Sequence, residues 1–457
     1  MAKKLKFDFD LIVIGSGAGG SAAATIAARE GKKVAIVEAD TFGGTSPNWG
    51  DVPIKALLQA AQLFDQARLG TRFGLRSSSI GYNYPSLRDW KDMAVKRTGA
   101  GGNRKYYENE GIATLQGKAH FLSPHEISVN RHNYSAASFI ISTGAGWTLP
   151  DIHGLSEADY VTPRTILESL KPPKSLYIVG GGPIGVELAQ LMAIFGTKVY
   201  IADIASRLLP GYDSEAGELM EKILTTQKNV TVLTQTRTLV IENENIARRV
   251  TYNRGGHEHS LRVDEVLITA GRTPNVDIGL ENAGVEYTAK GIIVNDHLQT
   301  STKHIYATGD VLGRHGYTHA ALLESRVVAQ NILSRNKLVP DYTALPRVVF
   351  TYPAIASVGL SEDDCLRRDL HVKKATAPLS IVARSNVSDF HDGFVKLITD
   401  KKGVLLGATI MAPGAEEMIH ELALAIKYGH TAAQIAATPH AFLTWSEAIR
   451  VAASKLS

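Results

Sequence analysis

Two stretches of the 457-residue chain combine residue types and spacing suited to gripping a nucleotide. The first reads Gly15-Ser16-Gly17-Ala18-Gly19-Gly20, a G-x-G-x-x-G pattern, and an acid, Glu38, stands 18 residues beyond its last glycine. Glycines at Gly15, Gly17 and Gly20 let backbone approach a pyrophosphate. A helix that follows supplies unpaired N–H groups and a positive dipole end, and an acid at the next strand's end accepts from a ribose diol. The second stretch, Gly180-Gly181-Gly182-Pro183-Ile184-Gly185, repeats the pattern, and Asp203 again stands 18 residues beyond Gly185. Two such units imply a chain that holds two dinucleotides, an arrangement for moving electrons between them.

The elements around these loops read as parallel strands and helices. Leu11–Ile14 and Leu176–Val179 are short continuous apolar runs, the signature of strands covered on both faces. Val34–Val37 leads into Glu38, and Val199–Ala202 into Asp203; Ala-rich sequence follows the first loop, and a helix is expected from Val186 after the second. Asp203 favours NADH, because a carboxylate accepts from a 2′-OH and repels a 2′-phosphate; NADPH is the alternative, with Arg207 placed to soften that repulsion. Three more strands end in small-residue turns, at Thr143-Gly144, at Gly271-Arg272 and at Gly309-Asp310, the last followed by a helix from Ala320 to Leu333.

Composition bounds the rest. At ~150 residues per domain the length suggests about three domains. Hydrophobic residues at 44% and charged residues at 21% argue against disorder, and a net charge of +4 is too small to argue for nucleic acid. The one cysteine, Cys365, excludes an intrachain disulfide and with it a stapled secreted protein. No metal-ligand pattern is present. The apolar stretch 11–28 is broken by glycines and reads as a strand plus a helix rather than a transmembrane segment, so the expected location is cytoplasmic.

The order of these signals resembles the FAD-dependent pyridine nucleotide–disulfide oxidoreductases. The ladder comprises the first glycine loop, Gly43-Gly44-Thr45, Ser142-Thr143-Gly144, the second loop, Ala270-Gly271-Arg272 and Gly309-Asp310. Phe350-Thr351-Tyr352-Pro353, Ala415-Glu416-Glu417 and Ser446-Glu447-Ala448 are similar to that family's C-terminal segments. The resemblance implies an α/β fold with two Rossmann-like dinucleotide-binding domains and a C-terminal α+β dimerisation domain, working as a homodimer. The FAD domain would take residues 1–148, an NAD(P)H domain 149–271, a return segment of the FAD domain 272–340 and the interface domain 341–457. It implies FAD on the first loop, with Gly44 and Thr45 beside it, Glu38 on the adenosine ribose and Asp310 on the ribityl–phosphate region. It places NAD(P)H on the second loop, and Lys55 and Glu187 as an ion pair beside the flavin.

Departures from the family pattern decide the expected chemistry. The family's G-G-T-C-x-N-x-G-C-x-P-x-K reads here as Gly43-Gly44-Thr45-Ser46-Pro47-Asn48-Trp49-Gly50-Asp51-Val52-Pro53-Ile54-Lys55. Ser46 and Asp51 stand where the two sulfurs belong, and a hydroxyl and a carboxylate cannot store electrons as a dithiol does. Phe442 stands where the family's acid–base histidine belongs, which leaves Glu447 without that partner; His440 lies two residues earlier. Thiol chemistry is thus excluded. The expected activity is an FAD-dependent NAD(P)H:acceptor oxidoreductase that passes electrons directly to a small non-disulfide molecule such as a quinone. A soluble transhydrogenase and a non-catalytic regulatory flavoprotein are the alternatives.

Overall fold

The computed structural model describes residues 6–76, 80–98 and 103–457. The chain divides into two compact units. The first takes the chain up to Ala56, then Ser86–Thr148 and Gly271–Asp341. The second takes Leu57–Pro85, Leu149–Ala270 and Tyr342–Ser457.

The first unit is built on a parallel sheet. Strand Phe9–Ile14 pairs with Val34–Glu38 on one side and with His132–Ile141 on the other, in register Leu11↔Val34 and Ile14↔Ile141. Ala113–Gln116 extends one edge, Ile305–Ala307 joins His132–Ile141, and Glu126–Val129 and Ala119–Ser123 add antiparallel strands. Ile12, Val13, Ile36, Phe139 and Ile140 are fully buried, each contributing roughly 1.5–3 kcal/mol for its side chain. Helix Ala18–Arg29, whose Gly19, Gly20, Ala23, Ala24 and Ala27 are buried, packs against helix Thr318–Leu333. One hydrogen bond joins the two helices, Ser325 Oγ accepting from the Ala23 N–H (2.9 Å), and Thr308 Oγ1, ahead of the second helix, donates to the Gly19 carbonyl (2.8 Å).

The second unit repeats the theme. Val230–Leu233, Lys198–Ala202, Ser175–Val179 and Glu265–Ile268 form a parallel sheet in that order. Its helix starts at Pro183 rather than at the expected Val186, because proline fits the first helical position, where its fixed φ and missing N–H carry no penalty. Residues 342–457 fold around a five-stranded antiparallel sheet, order Arg347–Val349, Ala354–Gly359, Leu405–Ala412, Phe394–Thr399 and Lys373–Pro378, covered by helices Ala415–Lys427 and Glu447–Ser454.

One buried cation ties segments of this unit together. Lys396 Nζ bonds Glu362 Oε2 at 2.7 Å and both Glu215 oxygens at 2.8 and 2.9 Å, with Asp213 Oδ1 at 3.4 Å. Burial alone would pull this lysine down, but its bonds to Glu215 and Glu362 and the Asp213 charge hold it above the ordinary lysine range. Cys365 lies on helix Glu362–Arg367 and is 1% exposed, with burial raising its thiol pKa.

Candidate functional site

The first loop forms because strand Phe9–Ile14 ends against Ser142. Ser142 Oγ donates toward the Ile14 and Gly15 carbonyls (3.1 and 2.8 Å). Gly15 takes φ +105°, and a Cβ on Gly20 would stand 2.2 Å from the Gly15 carbonyl oxygen, so only glycine closes this turn. Gly17 then caps helix Ala18–Arg29 with no side chain bonded to its first turn, which leaves N–H groups directed outward. Gly44 covers it: at φ +72°, a Cβ there would sit 2.7 Å from the Gly17 Cα.

Glu38 lies at the strand end as expected, and the loop holds it in place. Its Oε2 accepts from the Ser16 N–H (3.0 Å) and Oγ (2.6 Å), and its Oε1 accepts from the Asp40 N–H (2.8 Å). Oε2 thus has both lone pairs engaged, while Oε1 retains a lone-pair direction for a hydroxyl. Ser16 was not singled out in the sequence; a hydroxyl at the variable position between two motif glycines is the signal that marks it.

From this loop the unit runs to a cluster of charged groups. Arg272 pairs with Asp310 (Nη2–Oδ2 3.3 Å), bonds the Ala145 carbonyl and stacks on Trp147 at 5.0 Å. Its Nε is buried with no hydrogen-bond partner among the described residues. Burial raises the Asp310 pKa, with Asp51 adding to the rise and Arg272 opposing it. Gly309 keeps φ +77°, and its N–H donates to the buried Glu324 (2.6 Å). Thr143 Oγ1 donates to the Asn275 carbonyl, and Gly144 accepts from the Asn275 N–H, so these two residues brace the turns. Gly271 accepts from the Thr148 N–H, and Thr45 accepts from the Trp49 and Gly50 N–H groups.

Ser46 and Asp51 do come together. Asp51 opens helix Asp51–Leu69, and its Oδ2 accepts from Ser46 Oγ (2.8 Å) and Thr318 Oγ1 (2.9 Å). Lys55 Nζ stands 3.4 Å from the other oxygen, one turn along. Burial pushes the Asp51 pKa up, but Lys55, Ser46 and Thr318 outweigh it and hold the carboxyl below the usual range. The bonds found are to side chains, so the carboxylate does more than cap its helix. Thr318 escaped the sequence reading, although a threonine opening a helix after Gly309-Asp310 is a visible cue.

The second loop repeats the first. Thr269 Oγ1 donates toward the Val179 and Gly180 carbonyls, and a Cβ on Gly185 would stand 2.0 Å from the Gly180 oxygen. Asp203 accepts from the Gly181 N–H (2.6 Å) and the Ala205 N–H (2.7 Å). Among the described residues, nothing beyond its own chain neighbours lies within 4 Å of a Cβ placed on Gly182. Arg207 is directed to Asp363 (2.8 Å) and the Tyr212 carbonyl. Glu187 is buried, and its Oε1 accepts from the Phe350 N–H (2.8 Å). Lys55 and Glu187 belong to different units.

At the C-terminus Glu447 accepts from the Leu443 N–H (3.0 Å), in a turn where Leu443 takes φ +65° and Phe442 is 74% exposed. His440 has both nitrogens engaged, with Glu421 Oε1 and the Thr438 carbonyl each at 2.9 Å.

The residues of the first unit fit a flavin dinucleotide: a glycine cradle at Gly17 and Gly44 that a Cβ would fill, a strand-end carboxylate, and a buried arginine nitrogen lacking a partner. Among the described residues no helix is long and apolar enough to cross a membrane, and no group of three or more acidic, histidine or cysteine side chains could hold a metal ion. Residues 9–329 match the pyridine nucleotide-disulphide oxidoreductase family, and residues 345–453 match its dimerisation domain. A mercuric reductase of Staphylococcus aureus is 34% identical over 449 residues, 98% of this chain and 82% of that protein. A dihydrolipoyl dehydrogenase of Geobacillus stearothermophilus is 34% identical over 451 residues, 96% of this chain and 94% of that protein. Among solved structures, the Cu(II) complex of the HOCl-induced flavoprotein disulfide reductase RclA from Escherichia coli superposes with a TM-score of 0.88. It is 26% identical, and the match covers 99% of this chain and 100% of that one. Sequence order, loop geometry and full-length similarity agree: the chain belongs to the pyridine nucleotide-disulphide oxidoreductase family, FAD-dependent enzymes that use NAD(P)H.

Proposed function

We propose that this protein is a homodimeric NADH:acceptor oxidoreductase without the family's redox-active cysteine pair and acid–base histidine, delivering electrons to a small planar non-disulfide molecule. One observation carries the reading: Ser46 and Asp51, at the two sulfur positions of the family pattern, are hydrogen-bonded to each other, and the single cysteine is buried in the other unit. Bound FAD supplies the two-electron store between donor and acceptor. The first loop, Gly44 and Glu38 would hold the adenine end, and Arg272 with Asp310 the ribityl–phosphate region. Lys55 and Glu187 are proposed to position the hydride donor, and Phe442 with Glu447 to shape the acceptor site. Asp203 selects NADH by accepting from a 2′-OH, and Arg207 is held away by Asp363.

The test is an anaerobic titration. NADH should bleach the flavin at two electrons per FAD, with no long-wavelength thiolate charge-transfer band. Asp51→Asn should raise the flavin potential, because an ionised carboxylate nearby opposes negative charge on the reduced ring. Equal potentials would remove Asp51 from the chemistry, and failure of NADH to bleach the flavin would overturn the enzyme reading.

A further inference from the structure

We propose that the face made by Ser46, Asp51 and Thr318 selects planar cationic hydride acceptors, of the pyridinium or phenothiazinium kind, over neutral ones. This rests on the reading that electrons leave the flavin directly. Both Ser46 Oγ and Thr318 Oγ1 lie within hydrogen-bond distance of the same Asp51 oxygen, at 2.8 and 2.9 Å. An ionised carboxylate only accepts, so both hydroxyls donate and both their protons point at Asp51. These three side chains therefore present oxygen lone pairs to whatever arrives. Lys55 balances the charge from one helical turn away, but it is 23% exposed against 53% for Asp51. An incoming molecule meets the carboxylate first.

Proton accounting points the same way. Reduction of a cationic dye by NADH breaks one nicotinamide C–H bond, and the cation gains that pair of electrons and that proton, yielding NAD⁺ and a neutral leuco dye. Nothing else is consumed. A neutral quinone takes the same hydride equivalent and needs one further proton to become a hydroquinone. Ser46 and Thr318 have turned their protons inward, and Asp51 carries none, its carboxyl being held below the usual range by Lys55 and the two hydroxyls against the opposing effect of burial.

The experiment compares the wild-type holoenzyme with Asp51→Asn and Thr318→Val. NADH is the donor, and methylene blue (a cation), menadione (a neutral quinone) and thio-NAD⁺ are the acceptors. Separately, methylene blue is bound to the oxidised protein without NADH and followed by the shift of its visible band. Asp51→Asn should weaken dye binding about tenfold and lower the ratio of kcat/KM for the dye to that for menadione by a similar factor, a change in flavin potential acting on both acceptors alike. Added salt should weaken dye binding to wild type and have little effect on the variant. Thr318→Val keeps the charge and should lose less than Asp51→Asn in both measurements. Thio-NAD⁺ falling in parallel with the dye places a second nicotinamide in the acceptor class; inert thio-NAD⁺ confines the class to other cations. Unchanged dye affinity, or equal losses for dye and menadione, would overturn the proposal. Failure of NADH to bleach the flavin would instead remove the parent reading, while the binding measurement still judges the charge preference.

Discussion

The two glycine loops share a backbone and differ in what covers them. In each, a hydroxyl at the end of a neighbouring strand, Ser142 or Thr269, bonds the carbonyls at the strand-to-loop junction. In each, a strand-end acid accepts from the N–H after the first glycine and from the N–H two residues beyond itself. The helix-capping glycines even share dihedrals, φ −71° and ψ −173° at Gly17 against φ −74° and ψ −177° at Gly182. Yet Gly17 lies under Gly44, whereas Gly182 has open space before it. On the proposed reading, the covered cradle would suit a retained cofactor and the open one a cofactor that exchanges.

Substitution should break this symmetry in a fixed order. Gly44→Ala is expected to do most damage, because φ +72° and ψ −161° is a region glycine alone occupies and the new Cβ would meet the Gly17 Cα. Flavin affinity should fall about a hundredfold or more, equivalent to roughly 3 kcal/mol, read from fluorescence of released flavin. Gly182→Ala should leave the flavin bound and weaken NADH by about tenfold or less. Comparable flavin loss in both would refute the contrast.

Removing the paired hydroxyls tests the shared part. Ser142→Ala and Thr269→Val should each cost about 1 kcal/mol in denaturant unfolding, since each deletes one buried donor. A large difference between them would mean that the two junctions are not equivalent.

Acid should separate the regions most gently. In the first unit His304 stacks on His125 with ring centroids 3.9 Å apart, and burial lowers its pKa. A depressed histidine resists protonation in the fold, so this stability is complete above the unfolded value of about 6.5 and declines as pH falls below it. Melting followed from pH 7.5 to 5.5 should show that decline, and His304→Gln should flatten it.

How much was readable in advance follows from how local each feature is. The strands beside both loops declare themselves as apolar runs, and the glycine spacing with Glu38 and Asp203 marks the cradles, because those constraints act within about 25 residues. The contact between Ser46 and Asp51 was suggested only by likeness to a family pattern. Thr318 lies 267 positions from Asp51, and no periodicity connects them. Lys396 sits within an apolar strand, where alternation cannot distinguish a lysine paired with three carboxylates from one at the surface.

That lysine has a consequence for how the second unit comes apart. Asp213 and Glu215 stand on one stretch of chain, Glu362 and Lys396 on another, and the ammonium they enclose is 1% exposed. Parting the two stretches would take two of its three carboxylate partners from Lys396, and removing partners from a buried charge costs several kcal/mol. Residues 149–270 and the portion that matches the dimerisation domain should therefore melt in one calorimetric event, with neither surviving as a folded remnant.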